Sequence, residues 1–287
     1  MSFIQRSTSS IQDVLSQILD EERWPQVESF LRKSVKVVAD ELQKTQAEGG
    51  VRIDVKSLVR DLSSGPLNAE LQNFYSRNHR FVAMLEEKNR RAAVETYDFV
   101  DKEMPQAQFI QNQMSVIQSR RDEITRLNGS ILDLGVYKGS STRTLAGIFP
   151  DRSIHGFDSF EGLPEDWAGS LKGSFGEVKG VLPNMPANVR LYKGWFEDTL
   201  PGWFEENKTS PISLLRVDCD LYSSTKTIFD VLGSLVKSGT WIVFDELIGY
   251  RGFKDHEYKA FMEFKAKTGI QFEYVSFGLT YALGYVK

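Results

Sequence analysis

The spacing of apolar residues divides the chain at Leu127-Asn128-Gly129. Before that tripeptide the pattern is helical. Ile11, Val14, Leu15, Ile18 and Leu19 recur at helical spacing, and Val27, Phe30, Leu31, Val35 and Val38 continue it through Trp24 to Gln46. Gly49-Gly50 and Ser63-Ser64-Gly65-Pro66 interrupt the period, Leu67 to Ala93 restores it with a strongly charged face, and Met104-Pro105 breaks it again. A last helix is expected from about Gln106 to Leu127. After Gly129, short apolar runs alternate with helical stretches in the manner of a doubly wound α/β sheet. Strands are expected at 130–136, 153–158, 188–193, 212–218, 240–245, 271–277 and 280–286. Helices are expected at 139–149, 222–237 and 255–268, with a short one near 199–207. Only Gly278-Leu279 separates the last two strands, so these should pair as an antiparallel hairpin. The organisation expected is a helical N-terminal region, 1–128, followed by a ligand-binding α/β domain, 129–287.

The ends of the strands carry the candidate chemistry. The first apolar run closes in Asp133-Leu134-Gly135-Val136-Tyr137-Lys138-Gly139-Ser140. Gly135 and Gly139 allow a tight turn and a close backbone approach to a ligand at the N-terminus of the helix that Ser140 opens; a turn without a ligand is the plainer alternative. Asp158 stands 23 residues after Gly135, at the end of the second run. An acid there, with Ser159 beside it, is placed to accept hydrogen bonds from the ribose hydroxyls of an adenosine cofactor. Trp195 and Phe196 follow the third strand and either flank the adenine or pack in the core. Asp218, Asp220, Asp245 and Glu246 fall at the C-terminal ends of adjacent strands, where an open α/β sheet binds its ligands. Such acids repel one another unless a cation sits among them, which a metal would supply; otherwise Asp220 caps the helix near Tyr222 and Glu246 is a solvated loop residue. His256 lies in the polar and aromatic loop Gly249 to Tyr258, where it either serves as a base or caps a helix. His155, inside the second strand, reads as structural.

Composition narrows the partners. Among 287 residues, 35 basic and 39 acidic side chains give a formal charge of -4, with no cluster of basic and aromatic residues, so nucleic acid is not an expected partner. Cys219 is the only cysteine, which rules out an intrachain disulfide, argues against a cysteine-ligated zinc and suits a reducing cytoplasm. No apolar run reaches the length of about 20 residues needed to cross a bilayer, and Met1 to Ser10 is polar, so neither membrane insertion nor export is expected. The surplus of amphipathic helix outside the sheet points to a homo-oligomer.

Four segments together resemble one family. Leu132 to Gly139, Asp158-Ser159-Phe160-Glu161-Gly162-Leu163-Pro164, Lys193 to Pro201 and Leu215-Arg216-Val217-Asp218-Cys219-Asp220-Leu221-Tyr222-Ser223-Ser224-Thr225 are similar to motifs of the macrocin and mycinamicin (TylF-type) sugar O-methyltransferases. The resemblance covers residues 105–287. It implies a class I methyltransferase fold, a Rossmann-like sheet of seven strands whose antiparallel last strand inserts beside the sixth. It implies S-adenosylmethionine as cofactor, held around Asp133, Gly135, Gly139, Ser140, Asp158, Ser159, Trp195 and Phe196. It further implies a divalent metal, usually magnesium, on Asp218, Asp245 and Glu246, and a small-molecule hydroxyl acceptor such as a natural-product sugar; from their positions, Asp218 or His256 is the expected base for the acceptor's proton. Glu246 stands where the family more often has aspartate followed by tyrosine. Two other readings stay open. A nicotinamide-dependent oxidoreductase shares the glycine turn and the ribose acid, though it prefers Gly-x-Gly-x-x-Gly and a parallel terminal strand. A non-catalytic interaction protein would keep the fold and bind no cofactor.

Overall fold

The computed structural model describes residues 66–167 and 170–287. The helices expected between Ile11 and Gln46, and the break at Gly49-Gly50, lie outside the described residues. The chain divides into two units between His79 and Arg80, and the second of these carries the sheet. Pro66 opens helix α1 (Pro66–Glu103), a position where its missing N–H costs nothing. The helix stops at the expected Met104-Pro105 break. Its last turns bury Phe99 edge-on against Tyr258 and Tyr274, with ring centroids 5.1 and 5.9 Å away.

The helix expected from Gln106 to Leu127 is not continuous. Its place is taken by a short strand β1 (Gln108–Phe109) and two helices, α2 (Gln113–Ser119) and α3 (Arg121–Arg126). The reason is the neighbouring sheet edge, whose unpaired backbone groups offer a better partner than another helical turn. β1 pairs in parallel with β7 (Phe272–Phe277), and the Ile110 N–H donates to the Phe277 carbonyl at 2.9 Å. Asn112 then caps α2, its side chain accepting from the N–H groups of Met114 and Ser115.

All seven expected strands form: β2 (Ser130–Leu134), β3 (Ile154–Asp158), β4 (Val189–Lys193), β5 (Ile212–Val217), β6 (Trp241–Phe244), β7 and β8 (Ala282–Val286). With β1 the sheet has eight strands, in the order β1-β7-β8-β6-β5-β2-β3-β4. β8 runs antiparallel between β6 and β7, as the hairpin requires. The expected helices appear as α4 (Ser140–Ile148), α5 (Phe196–Asn207), α6 (Tyr222–Leu232) and α7 (Glu257–Thr268).

Because successive strand residues face opposite sides of a sheet, the core has two halves. Leu132, Leu134, Leu215, Val217, Ile242 and Phe244 pack under α5, α6 and α7. Ile131, Leu214, Trp241 and Val243 pack under α2, α3 and α4. The same alternation sends Asp133 and Arg216, direct cross-strand neighbours, into the second face. The chain order reverses between β2 and β5, the crossover at which an open α/β sheet leaves a crevice beyond its strand ends.

Candidate active site

Gly135 and Asp218 end the two strands that flank the crossover. Gly135 has φ +106°, and a Cβ there would stand 1.6 Å from the Asp218 carbonyl oxygen, so only glycine lets β2 and β5 run this close. The Asp218 N–H donates to the Leu134 carbonyl at 2.8 Å across the same gap. Gly139, at φ +76°, caps α4 and meets the Met185 side chain, and Ser140 is the exposed first residue of that helix. Asp158 ties the loops together. Its Oδ2 accepts from the Tyr137 N–H at 2.7 Å and its Oδ1 from the Phe160 N–H at 2.6 Å. Burial raises the Asp158 carboxyl above its ordinary range despite these two donors. Ser159 turns its hydroxyl to the Glu161 N–H at 3.1 Å. Trp195 is half-buried at the start of α5, whereas Phe196 is 9% exposed and belongs to the core.

The acids beyond β5 and β6 divide into two groups. Asp218, Asp220 and Glu246 each offer a carboxylate oxygen within 4.8 Å of the others. Asp245 Oδ1 instead accepts from Arg216 Nη2 at 3.2 Å and from the Gln113 side-chain amide. Asp220 does not cap α6, whose first turn follows Leu221 without a side-chain cap; it sits at φ +65°, a backbone that few residues other than glycine adopt. Glu246 is no solvated loop residue. Its Oε2 is buried and has no hydrogen-bond partner among the described residues.

A buried arginine neutralises part of this charge, a role the sequence reading left to a metal alone. Arg216 Nη1 donates to Asp133 at 2.9 Å, Nη2 to Asp218 at 2.6 Å, and Nε to Gln113 at 3.3 Å. Burial works against its charge, but Asp218, Asp133 and Asp245 outweigh that and hold it firmly protonated. Asp133, fully buried, also accepts from Thr142 at 2.6 Å, so the structure places it beneath the glycine loop, bracing α4. The signal available in the sequence was a charged residue inside the apolar run Leu214-Leu215-Arg216-Val217, since a buried charge requires a partner.

Glu257 also escaped the sequence reading. Fully buried at the start of α7, it accepts from the Cys219 N–H at 3.4 Å and the Glu246 N–H at 3.3 Å, joining the two acid-bearing loops. Burial and mutual repulsion push the carboxyls of Asp218, Glu246 and Glu257 well above the carboxylate range, although Arg216 opposes this at Asp218; Asp220 is pushed up to about 6. A site this short of positive charge, built from oxygen donors and containing an orphaned Glu246 oxygen, fits a hard divalent cation. His256 precedes α7 without capping it through its side chain, and packs against Trp167 and Tyr250. Burial lowers its pKa against the pull of Asp255 and Glu165. His155 lies away from the strand ends, bonded through Nδ1 to Trp203 and Tyr192, in keeping with a structural role.

Comparison with known proteins agrees with the motifs. Residues 181–277 match the family model described as Macrocin-O-methyltransferase (TylF). A demethyldecarbamoylnovobiocin O-methyltransferase of Streptomyces niveus is 29% identical over 174 residues, 52% of this chain and 62% of that protein. An 8-demethyl-8-(2,3-dimethoxy-alpha-L-rhamnosyl)-tetracenomycin-C 4'-O-methyltransferase of Streptomyces olivaceus is 29% identical over 141 residues, 41% of this chain and 52% of that protein. The chain thus matches less than two thirds of the length of either relative. Among solved structures, CalS11, a calicheamicin methyltransferase, superposes with a TM-score of 0.50 at 20% identity, over 80% of this chain and 90% of that one. The resemblance to TylF-type proteins therefore holds, and the fold is that of the class I O-methyltransferases.

Proposed function

We propose that this protein is an S-adenosylmethionine-dependent O-methyltransferase that acts on a hydroxyl of a small molecule such as a natural-product sugar. The observation that carries this reading is the juxtaposition at the β2/β5 crossover: the Gly135 to Ser140 turn braced by Asp158 on one side, and the Asp218, Asp220 and Glu246 cluster on the other. Gly135, Gly139, Ser140, Asp158, Ser159 and Trp195 would hold the cofactor, with Asp133 and Phe196 supporting them from below. Asp218 and Glu246 would hold magnesium, together with Asp245 through its Oδ2 or with Asp220.

S-adenosylmethionine would supply the methyl group, and a divalent cation would make the acceptor hydroxyl a stronger acid. The chain's own residues do the rest. Asp218 or His256 accepts the hydroxyl proton, His256 being kept neutral by its burial. Arg216 keeps Asp218 aimed at the cleft, and the loops hold the reacting groups in line. Retention of the acid cluster and its orphaned oxygen favours an enzyme over a silent fold, and the antiparallel β8 favours a methyltransferase over an oxidoreductase. No helix among the described residues is long and apolar enough to cross a membrane. The proposal keeps the expectation of a homo-oligomer in the cytoplasm, which light scattering and cell fractionation read directly.

Calorimetric titration with S-adenosylhomocysteine tests the assignment. Wild type should bind it, and Asp158→Asn should weaken it while keeping a native far-UV spectrum. Magnesium heat should be lost in Glu246→Gln, and comparing Asp245→Asn with Asp220→Asn identifies the third ligand. A wild-type protein that binds neither compound sinks the enzyme reading.

A further inference from the structure

Gln113 opens α2, 103 residues from Arg216 and 132 from Asp245 along the chain, yet it bonds to both. Its Oε1 accepts from Arg216 Nε at 3.3 Å, and its Nε2 donates to Asp245 Oδ1. An arginine only donates and an ionised carboxylate only accepts, so the side chain between them must do both, which a neutral amide does. Turning the amide over would set donor against donor and acceptor against acceptor. Arg216 Nη2 reaches the same Asp245 Oδ1 at 3.2 Å but also serves Asp218 at 2.6 Å, so the amide is the donor that Asp245 does not share with Asp218. Oδ1 is thus held from two sides. Oδ2 accepts from none of the described residues, and 25% of the Asp245 side chain is exposed.

Distant elements fix the place of this amide. Three residues before Gln113, the Ile110 N–H donates to the Phe277 carbonyl at 2.9 Å, and the Ile110 carbonyl accepts from the Tyr281 hydroxyl, which also meets Ser276 Oγ at 2.8 Å. Gly278 leaves room for that tyrosine, since a Cβ there would stand 2.5 Å from its ring. Asn112 then caps α2 through the N–H groups of Met114 and Ser115, at 3.0 and 3.3 Å, and Val116 and Ile117 bury the helix against the sheet. The amide is carried by a segment locked to the β7–β8 hairpin.

Resting on the reading of this site as a metal-assisted methyltransferase centre, we propose that Gln113 is a positioning residue, which fixes Asp245 so that the carboxylate presents Oδ2 alone to a divalent cation. A carboxylate free to turn offers a cation either oxygen or both. Both together suit the large and flexible shell of calcium, whereas magnesium and manganese, with near-octahedral oxygen shells, are better served by one oxygen held in place. Donors behind a ligating carboxylate orient it and are worth about 10–100-fold in metal affinity. Gln113 acts in this way through Asp245 and touches no reacting group itself.

Titration of the full chain with manganese ion, the free ion being read by electron paramagnetic resonance, tests this without turnover. Gln113→Met keeps the length of the side chain and removes both hydrogen bonds, and it should bind manganese about 10–100-fold more weakly than wild type. Asp245→Asn should also weaken binding, and adding Gln113→Met to it should change the affinity by less than about twofold, because the residue through which the amide acts is gone. Gln113→Asn, whose amide falls one methylene short, should lie between wild type and Gln113→Met and replaces the latter should its far-UV spectrum show a loss of fold. S-adenosylhomocysteine affinity, measured by calorimetry, should be equal in wild type and the Gln113 variants. Manganese affinity unchanged by the Gln113 substitutions or by Asp245→Asn overturns the proposal, as does an equal loss from Gln113→Met in both backgrounds, a parallel loss of S-adenosylhomocysteine affinity, or a wild type that binds no manganese. A wild type that binds manganese as described but no S-adenosylhomocysteine overturns the methyl-transfer reading and leaves the role of Gln113 standing.

Discussion

Replacing Arg216 with methionine is the sharpest test of how the acid cluster is held together. The guanidinium donates to Asp133, Asp218 and Asp245 at 2.9, 2.6 and 3.2 Å, and its side chain is 2% exposed. At an effective dielectric of about 20, one pair of charges about 4 Å apart is worth roughly 4 kcal/mol, so three pairs would nominally rival the stability of a whole domain. The net loss is smaller, because a stranded carboxyl can take a proton instead of keeping its charge. Removing one partner of a buried pair costs about 3–5 kcal/mol, and that is the loss expected for Arg216→Met. It is a large share of the roughly 5–15 kcal/mol that holds a domain folded. Methionine matches the bulk of the stem but leaves three acids without their cation, so the tolerance seen when a whole buried ion pair is replaced does not apply. Urea unfolding at neutral pH with chelator present measures the change. Arg216→Lys should recover part of the stability, since the charge returns without the fork that reaches three carboxylates. A loss below about 1 kcal/mol for Arg216→Met, the range of an exposed ion pair, would refute the view that this arginine neutralises the site.

Two glycines should respond in opposite directions to alanine. Gly135→Ala meets the Asp218 carbonyl oxygen at φ +106° and should cost about 2–6 kcal/mol from strain and overlap, whereas the exposed helical Gly147 has nothing within 4 Å and Gly147→Ala should stabilise by about 0.5–1 kcal/mol; urea midpoints read both. Burial, and then the Arg190 charge, lowers the His155 pKa, so the folded protein resists the proton that the unfolded chain takes up as pH falls below the ordinary histidine value of 6.5. Stability should therefore decline on acidification through that value, and His155→Gln should flatten this part of the profile; an unchanged slope would show that the histidine does not contribute.

The strands were legible because their signal is local. Runs such as Ile131-Leu132 and Trp241-Ile242-Val243-Phe244 announce buried strands whatever surrounds them, and the short gap between Phe277 and Ala282 forces the hairpin. Gly135, Asp158, Asp218 and Glu246 were likewise marked by their positions at strand ends. The segment from Gln106 to Leu127 carries a helical pattern yet does not form one helix, because its competitor, the open edge of β7, lies more than 140 residues away and leaves no local signal. Sequence also pointed to glycine at 135 without the cause, which is the approach of the Asp218 backbone.

What the chain determined by itself was the order of its elements, the alternation that sends each side chain to one face, and the supply of acids at the crossover. Tertiary structure decided which of those residues meet. Only the adjacency of β2 and β5 brings Asp133 opposite Arg216, only α2 brings Gln113 to Asp245, and only the start of α7 puts Glu257 beneath both acid loops. Charges in a dry interior are settled by neighbours distant in sequence. Local pattern carries the fold, whereas the pairing of this site's charges had to wait for the contacts themselves.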